Sequence, residues 1–318
     1  MKYTIDPELQ PWLALLPELN LTDLAGSRAL MADAMPPFEP PSGIRVEARL
    51  VPGPAGEPDV PVLVFSPDDA GPLPALVYMH GGGFVLGSAE SDRELPATLA
   101  AHARAVVISV DYRLAPEHPF PAPVEDCYAV LEWVAANASD LAVDPARIGI
   151  GGVSAGGGLA AATALIARDR GGPALSFQLL DIPELDDRLE TVSMQKFSDT
   201  PVWNRPNAVE SWRYYLGDHG SMNTVSSYAA PARATDLADL PPAYIATCEF
   251  DPLRDEALQY AQRLSHHGVP VELHLYPGTF HGSGGLVPTA AISTRMREDL
   301  LDAARRGLAV SPMAVTTK

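Results

Sequence analysis

Ser154 lies in Gly151-Gly152-Val153-Ser154-Ala155-Gly156-Gly157-Gly158, directly after the apolar run Arg147-Ile148-Gly149-Ile150. A serine set among glycines at the end of a strand is the pattern of a nucleophile on a tight strand-to-helix turn, where only glycine leaves room around a strained backbone. The segment after it, Leu159 to Arg168, is rich in alanine and reads as a helix. The first unpaired amides of that helix face the serine and favour negative charge there. This is the chemistry of acyl transfer, although five residues alone also fit a glycine-rich turn with an incidental serine. A second run, His80-Gly81-Gly82-Gly83, follows the apolar stretch Ala75 to Met79 and therefore also ends a strand. Its bland reading is a flexible loop. Its chemical reading is a backbone that curls N–H groups toward one point, as an oxyanion requires.

A serine hydroxyl is a weak nucleophile until a base takes its proton, and the base needs an acid to orient it. Of the eight histidines, His118 lies between Glu117 and Pro119, and His266 and His267 end a helix, where a cation suits the dipole. His102 falls in a surface helix, His219 in a polar loop and His274 in mid-strand. His281 follows the strand Val271 to Tyr276 and a Pro277-Gly278 turn, in a loop where a base has freedom to work. For the acid, Asp251 follows the strand Ala243 to Thr247 and precedes Pro252. That position equally suits a helix N-cap, and Glu249 and Asp255 are rival acids. The order Ser154, Asp251, His281 is the one expected of α/β-hydrolases.

The elements that must hold these groups alternate along the chain. Strands are expected near Arg45 to Leu50, Val60 to Phe65, Ala75 to Met79, Val106 to Asp111, Arg147 to Ile150, Ser176 to Leu180, Ala243 to Thr247 and Val271 to Tyr276. Helices follow the later strands, among them Ala122 to Ala136 and Val287 to Gly307. Apolar runs alternating with helical patterns predict a mostly parallel sheet covered on both faces. Residues 1–42 and 183–230 break the alternation.

The glycine run at 80–83, the stretch Asp111-Tyr112-Arg113-Leu114-Ala115-Pro116-Glu117-His118-Pro119-Phe120-Pro121-Ala122, the serine turn and Asp251-Pro252-Leu253-Arg254-Asp255 together resemble the hormone-sensitive-lipase-like branch of α/β-hydrolase carboxylesterases. The resemblance runs from about residue 44 to 310. The stretch Ile182-Pro183-Glu184-Leu185-Asp186-Asp187-Arg188-Leu189-Glu190-Thr191-Val192 is similar to bacterial heroin-esterase-like members of that branch. The resemblance implies an α/β-hydrolase fold with an eight-stranded sheet and a helical cap. It makes Ser154 the nucleophile, His281 the base and Asp251 its partner, with Gly82, Gly83 and Ala155 supplying the oxyanion amides. It also implies a division into an N-terminal part of the cap (1–42), a catalytic core (43–182), a cap insertion (183–230) and the core continued (231–318). Members often pair through a sheet edge, so a homodimer is expected. Two departures stand out: Val153 precedes the nucleophile where a polar residue is common, and Ser283 follows Gly282 where phenylalanine is frequent.

A cap sets specificity through its aromatics. Trp12, Phe84, Trp203, Trp212, Tyr214 and Tyr215 are all available, and Phe84, Trp203 and Tyr214 are the ones assigned to the substrate pocket. Each also has the alternative of packing the cap on itself. Trp212, Tyr214 and Tyr215 cannot share one helical face. A covered pocket favours small acyl chains.

Composition narrows the rest. The 318 residues hold 22 Lys and Arg against 40 Asp and Glu, a net charge of −18 that disfavours nucleic acid and anionic membranes as partners. With 25 glycines and 32 prolines the chain stays below the roughly 25–30% that marks disorder. Cys127 and Cys248 fall on a helix and a strand, which makes them buried free thiols. No cysteine–histidine cluster has zinc spacing, and no cofactor is needed. Asp6, Glu8 and nearby prolines do not fit a signal peptide, no apolar run approaches 18 residues, and a cytoplasmic setting is expected. The resemblance, not composition, implies the substrate: a small ester carrying an acetyl to hexanoyl group, aryl and alkaloid acetates among them. An amidase or peptidase would use the same three side chains. Some relatives of the branch are small-molecule receptors that have lost the histidine, a reading that the presence of His281 opposes.

Overall fold

The structure is a computed structural model that describes residues 3–16, 18–33, 37–69, 71–220 and 225–310. Its strands are β1 (Ile44–Val51), β2 (Val60–Pro67), β3 (Leu73–Met79), β4 (Val106–Val110), β5 (Val143–Val153), β6 (Phe177–Asp181), β7 (Ala243–Phe250) and β8 (Val271–Phe280). Its α-helices are α1 (Leu24–Asp33), α2 (Glu94–Ala103), α3 (Ala122–Ala136), α4 (Ala155–Arg170), α5 (Val192–Lys196), α6 (Arg205–Leu216), α7 (Arg254–His266), α8 (Ser283–Leu286) and α9 (Ala291–Leu308). The strands form one sheet in the order β1-β2-β4-β3-β5-β6-β7-β8. β2 runs antiparallel to both β1 and β4, and every other pairing is parallel. This is the α/β-hydrolase arrangement that the sequence implies.

The central strands are continuous apolar runs because both faces of the sheet are covered. Alternate residues of β3 part to the two sides. Val77 and Met79 join Val124, Leu131, Leu159 and Leu165 on the face covered by α3 and α4. Leu76 and Tyr78 join Leu99, Leu300 and Leu308 on the face covered by α2 and α9. Cys127 and Cys248 are buried free thiols, one in each of these two cores.

Several elements differ from the expected bounds, β5, β8 and the last helix among them. Strand β5 begins at Val143, because Val143 pairs with Leu73 before a register shift brings Ile148 opposite Ala75. Strand β8 does not stop at Tyr276. Gly278 takes φ +73 and its amide donates to Glu249 Oε2 at 2.8 Å, so pairing resumes past an irregularity with Phe250 opposite Phe280. The helix expected over Val287–Gly307 starts four residues late, as α9 at Ala291, and the short α8 precedes Val287. Pro288 disfavours helical geometry at Val287, which sits at φ −128 and ψ 65.

The two segments outside the alternation meet each other. Asn207 of α6 accepts from the Leu21 amide at 3.1 Å and donates to the Leu19 carbonyl at 3.0 Å. Arg28 of α1 donates to the Val85 carbonyl and the Ala115 carbonyl, both at 3.0 Å, and pairs with Glu117 at 2.6 Å. The N-terminal segment is thereby fastened to the loop that carries the glycines at 81–83.

Candidate active site

Strand β5 ends at Val153 and α4 begins at Ala155, leaving Ser154 alone in the turn at φ 57 and ψ −121. That is backbone space a side chain seldom occupies, and its neighbours make it possible. A Cβ on Gly152 would meet the Gly156 carbonyl oxygen at 2.4 Å, and one on Gly156 would meet the Met79 carbonyl oxygen at 2.1 Å. The Ser154 amide donates to the Asp181 carbonyl at 2.9 Å, and the Glu184 amide donates to the Ser154 carbonyl at 3.0 Å. Both polar groups of the strained residue are thus tied to the end of β6.

Beside the hydroxyl stands His281, one residue past the end of β8. Its Nε2 is 2.9 Å from Ser154 Oγ, and its Nδ1 is 2.6 Å from Asp251 Oδ2. With the ring proton on Nδ1, the imidazole donates to the carboxylate and accepts from the serine. Asp251 is fully buried. Its other oxygen, Oδ1, accepts from the Leu253 amide at 2.9 Å. The turn before α7 and the histidine are therefore held by different oxygens of one carboxylate, and the N-cap of α7 is Leu253 rather than Asp251. The rival acids are engaged elsewhere: Glu249 with the Gly278 amide, and Asp255 with the Ser193 amide at 2.7 Å and Arg254 at 2.8 Å.

The amides of Gly82, Gly83 and Ala155 have no acceptor among the described residues. Their orientation is fixed through their neighbours. His80, buried and stacked on Tyr112, has Nδ1 at 2.8 Å from the Gly81 carbonyl, which sets the peptide that carries the Gly82 N–H. The Gly82 carbonyl accepts from Leu86 at 2.9 Å and Val85 at 3.1 Å, which sets the peptide that carries the Gly83 N–H. The Ser211 hydroxyl of α6 donates to the Gly83 carbonyl at 2.9 Å. The stretch at 111–122 supports the same loop: the Tyr112 hydroxyl donates to the His80 carbonyl at 2.8 Å, and Arg113 pairs with buried Asp126 at 2.7 Å.

The three pocket aromatics do not act together. Trp203 lies against the site, its ring 5.9 Å from the His281 ring, and a Cβ on Gly83 would meet its Cη2 at 2.5 Å. Phe84 is buried and stacked on Tyr215 at 4.0 Å, in one core with Trp212. Tyr214 is half-buried under the Arg213 guanidinium at 4.1 Å. None of the three lines the cavity of about 510 Å3 that opens beside the triad. Its wall is built from Gly81, Gly82, Val153, Asp181 and Gly282, with Phe38 of the N-terminal segment and residues from α2 and α9. Sequence reasoning missed Asp181. Its position at the carboxyl end of a central parallel strand, where ligands of open α/β sheets bind, was the available signal. Val153 faces that cavity, whereas Ser283 is buried and does not line it. Burial raises the carboxyl of Asp181 to about 6, with His281 pulling it down and Asp251 pushing it up. Burial likewise raises Glu184, next to Ser211, to about 8.

Comparisons with known proteins identify the family. A family profile described as α/β-hydrolase fold matches residues 76–284. The carboxylesterase NlhH of Mycobacterium tuberculosis is 41% identical over 299 residues, spanning 91% of this chain and 93% of its own length. An arylesterase of Saccharolobus solfataricus is 32% identical over 307 residues, spanning 93% and 98%. The solved structure of a bacterial heroin esterase superposes with a TM-score of 0.93 at 51% identity, covering 96% of this chain and 98% of that one. The chain belongs to the α/β-hydrolase family, in its hormone-sensitive-lipase-like carboxylesterase branch.

Proposed function

We propose that the protein is a serine carboxylesterase that hydrolyses short-chain acyl esters through an acyl-enzyme. The observation that carries this reading is the continuous chain from Asp251 Oδ2 through His281 to Ser154 Oγ, at 2.6 and 2.9 Å, beside three amides without acceptors among the described residues. Ser154 Oγ attacks the ester carbonyl carbon while its proton passes to His281 Nε2. The carbonyl oxygen gathers negative charge against the amides of Gly82, Gly83 and Ala155, each worth about 3–4 kcal/mol to the barrier. The bond to the alcohol oxygen then breaks, and His281 returns the proton to that oxygen. Water repeats the sequence on the acyl-enzyme: its proton goes to His281, the Oγ–carbon bond breaks, and Ser154 recovers its hydrogen. Asp251 holds the imidazole in the required tautomer and balances its transient positive charge.

The segments 1–42 and 183–230 act as a cap over this centre, a role supported by the bonds of Asn207 to Leu19 and Leu21. A bounded cavity of about 510 Å3 suits small ligands and favours acetyl to hexanoyl groups over long chains. Strand β8 lies at one end of the sheet order with Leu273 and Leu275 exposed, so a second copy pairs along it. Two buried free thiols suit a reducing cytoplasm. The test is an acyl-chain series of p-nitrophenyl esters with the matched anilides, run on wild type and Ser154→Ala, alongside fluorophosphonate labelling. Ester turnover that peaks at short chains and vanishes in the folded variant is expected. Wild-type turnover in folded Ser154→Ala, or a serine at 154 that resists the probe, overturns the mechanism.

A further inference from the structure

We propose that the cavity beside the triad selects esters that carry a cationic nitrogen, with Asp181 and Asp92 as the carboxylates that receive it. This rests on ester hydrolysis at Ser154 and adds the charge of the substrate. Six charged side chains line the cavity: Glu90, Asp92, Glu94 and Asp181 against Arg93 and Arg297. Both guanidiniums are taken, Arg93 by Glu90 at 2.9 Å and Arg297 by Glu94 at 3.8 Å. Asp92 accepts one hydrogen bond, from the Tyr78 hydroxyl at 2.7 Å, and pairs with no cation among the described residues. The Asp181 carboxylate has neither a hydrogen-bond donor nor a cation among them, although its backbone carbonyl holds the nucleophile's amide at 2.9 Å.

Position makes this pair a substrate contact rather than a distant surface feature. Asp181 is in parallel register with Val153, the residue before the nucleophile, and both side chains line the cavity. The carboxylate therefore stands one strand spacing from the neighbour of Ser154 and is rigidly referenced to it. The remaining wall is mostly apolar, with Phe38, Leu95, Leu286 and Leu300. A neutral ligand that fills such a space strips water from two carboxylates and gives them nothing in return. Burial already raises Asp92 to about 7 and Asp181 to about 6. An ammonium group, with apolar carbons around a positive charge, satisfies the carboxylates and the apolar wall together. The net charge of −18 draws such a molecule in.

The experiment compares two acetates of the same shape: 2-(trimethylammonio)ethyl acetate and 3,3-dimethylbutyl acetate, in which carbon replaces the charged nitrogen. Wild type is expected to have a kcat/KM about tenfold or more higher for the charged ester, because the attraction acts in a water-poor cavity. Asp181→Asn and, as a second variant, Asp92→Asn lower that ratio about fivefold or more. Taking the ratio within one preparation removes losses of folded protein from the comparison. Tetramethylammonium also inhibits hydrolysis of the neutral ester by wild type more strongly than tert-butanol does at matched ionic strength. A wild-type ratio at or below one, a ratio unchanged in both variants, or equal inhibition by the two small molecules overturns the proposal. If wild type turns over neither acetate nor p-nitrophenyl acetate, ester hydrolysis itself fails and this proposal falls with it.

Discussion

Gly82 is the position where one methyl group tests the oxyanion cradle most directly. It has φ +127, and a Cβ placed on it would lie 2.2 Å from the Leu86 carbonyl oxygen. An ordinary carbon–oxygen contact is about 3.3 Å, so the two backbones must part by about 1 Å. The Gly82 carbonyl is itself held by the amides of Val85 and Leu86, at 3.1 and 2.9 Å, so the separation breaks the turn that aims the Gly83 N–H. A displacement of that size costs about 100-fold, and loss of one oxyanion donor about 100- to 1,000-fold in kcat. Gly82→Ala is therefore expected to lose kcat by about 100- to 1,000-fold for p-nitrophenyl acetate, with KM changed by no more than about threefold. Labelling by a fluorophosphonate slows in parallel, because its phosphoryl oxygen needs the same donors. Backbone strain alone is controlled by Gly43→Ala: Gly43 has φ +80 and no heavy atom within 4 Å of the added carbon. Each substitution costs on the order of 1–3 kcal/mol of stability, read from a thermal melt, but Gly43→Ala leaves kcat unchanged. A folded Gly82→Ala enzyme with kcat within about threefold of wild type refutes the assignment of this loop.

Three further outcomes follow from the geometry. Asp251→Asn keeps an acceptor for the Leu253 amide yet presents the wrong tautomer to Ser154, so kcat falls about 1,000- to 10,000-fold with a near-native melt; steady-state kinetics within tenfold of wild type would exclude Asp251 as the partner of His281. Ser211→Ala removes the hydroxyl that holds the Gly83 carbonyl, and kcat is expected to drop about three- to tenfold while KM stays, since the interaction matters to where the oxyanion forms. Glu184 reaches about 8 in the folded protein against an ordinary 4.5, so between those values the native state keeps a proton that the unfolded chain releases. Its contribution to stability therefore declines as pH rises from about 5 to 8, by on the order of a few kcal/mol. Glu184→Gln does not titrate, and its Tm gains on wild type over that range; melting curves that shift in parallel from pH 5 to 8 would refute the burial argument.

The parts of the site that were legible in the sequence are those whose chemistry is local. A serine needing φ +57 requires its glycines within two residues, and an oxyanion loop requires consecutive glycines, so both signals survive in one dimension. His281 and Asp251 were legible because each follows a strand, β7 a buried run and β8 an alternating one. What could not be read was the cavity wall. Phe38, Leu95, Val153, Asp181 and Leu286 come from five segments that only the fold brings together, and none carries a pattern of its own. The C-terminal end of β8 and the start of α9 were also missed. The latter was readable from Pro288, whereas the former depended on Glu249 reaching across to the Gly278 amide, a contact between neighbouring strands.

The misassignment of Phe84 and Tyr214 follows from helix geometry. In α6, Trp212 and Tyr215 are three residues apart and share a face, while Tyr214 points elsewhere. That shared face is buried, and Phe84 packs on it, stacked 4.0 Å from Tyr215 and 5.4 Å from Trp212. Phe84 itself stands at φ 61 directly after Gly83. An aromatic ring driven into the core at that point fixes the far end of the glycine loop, just as His80 fixes the near end. The rings at 84, 212 and 215 therefore pack behind the glycine loop rather than form the walls of the cavity. The wall falls instead to the other side of Ser154, where β6 contributes a carboxylate. A ring enlarged or removed at position 84 should then change kcat through the loop, while selectivity among esters answers to Asp181.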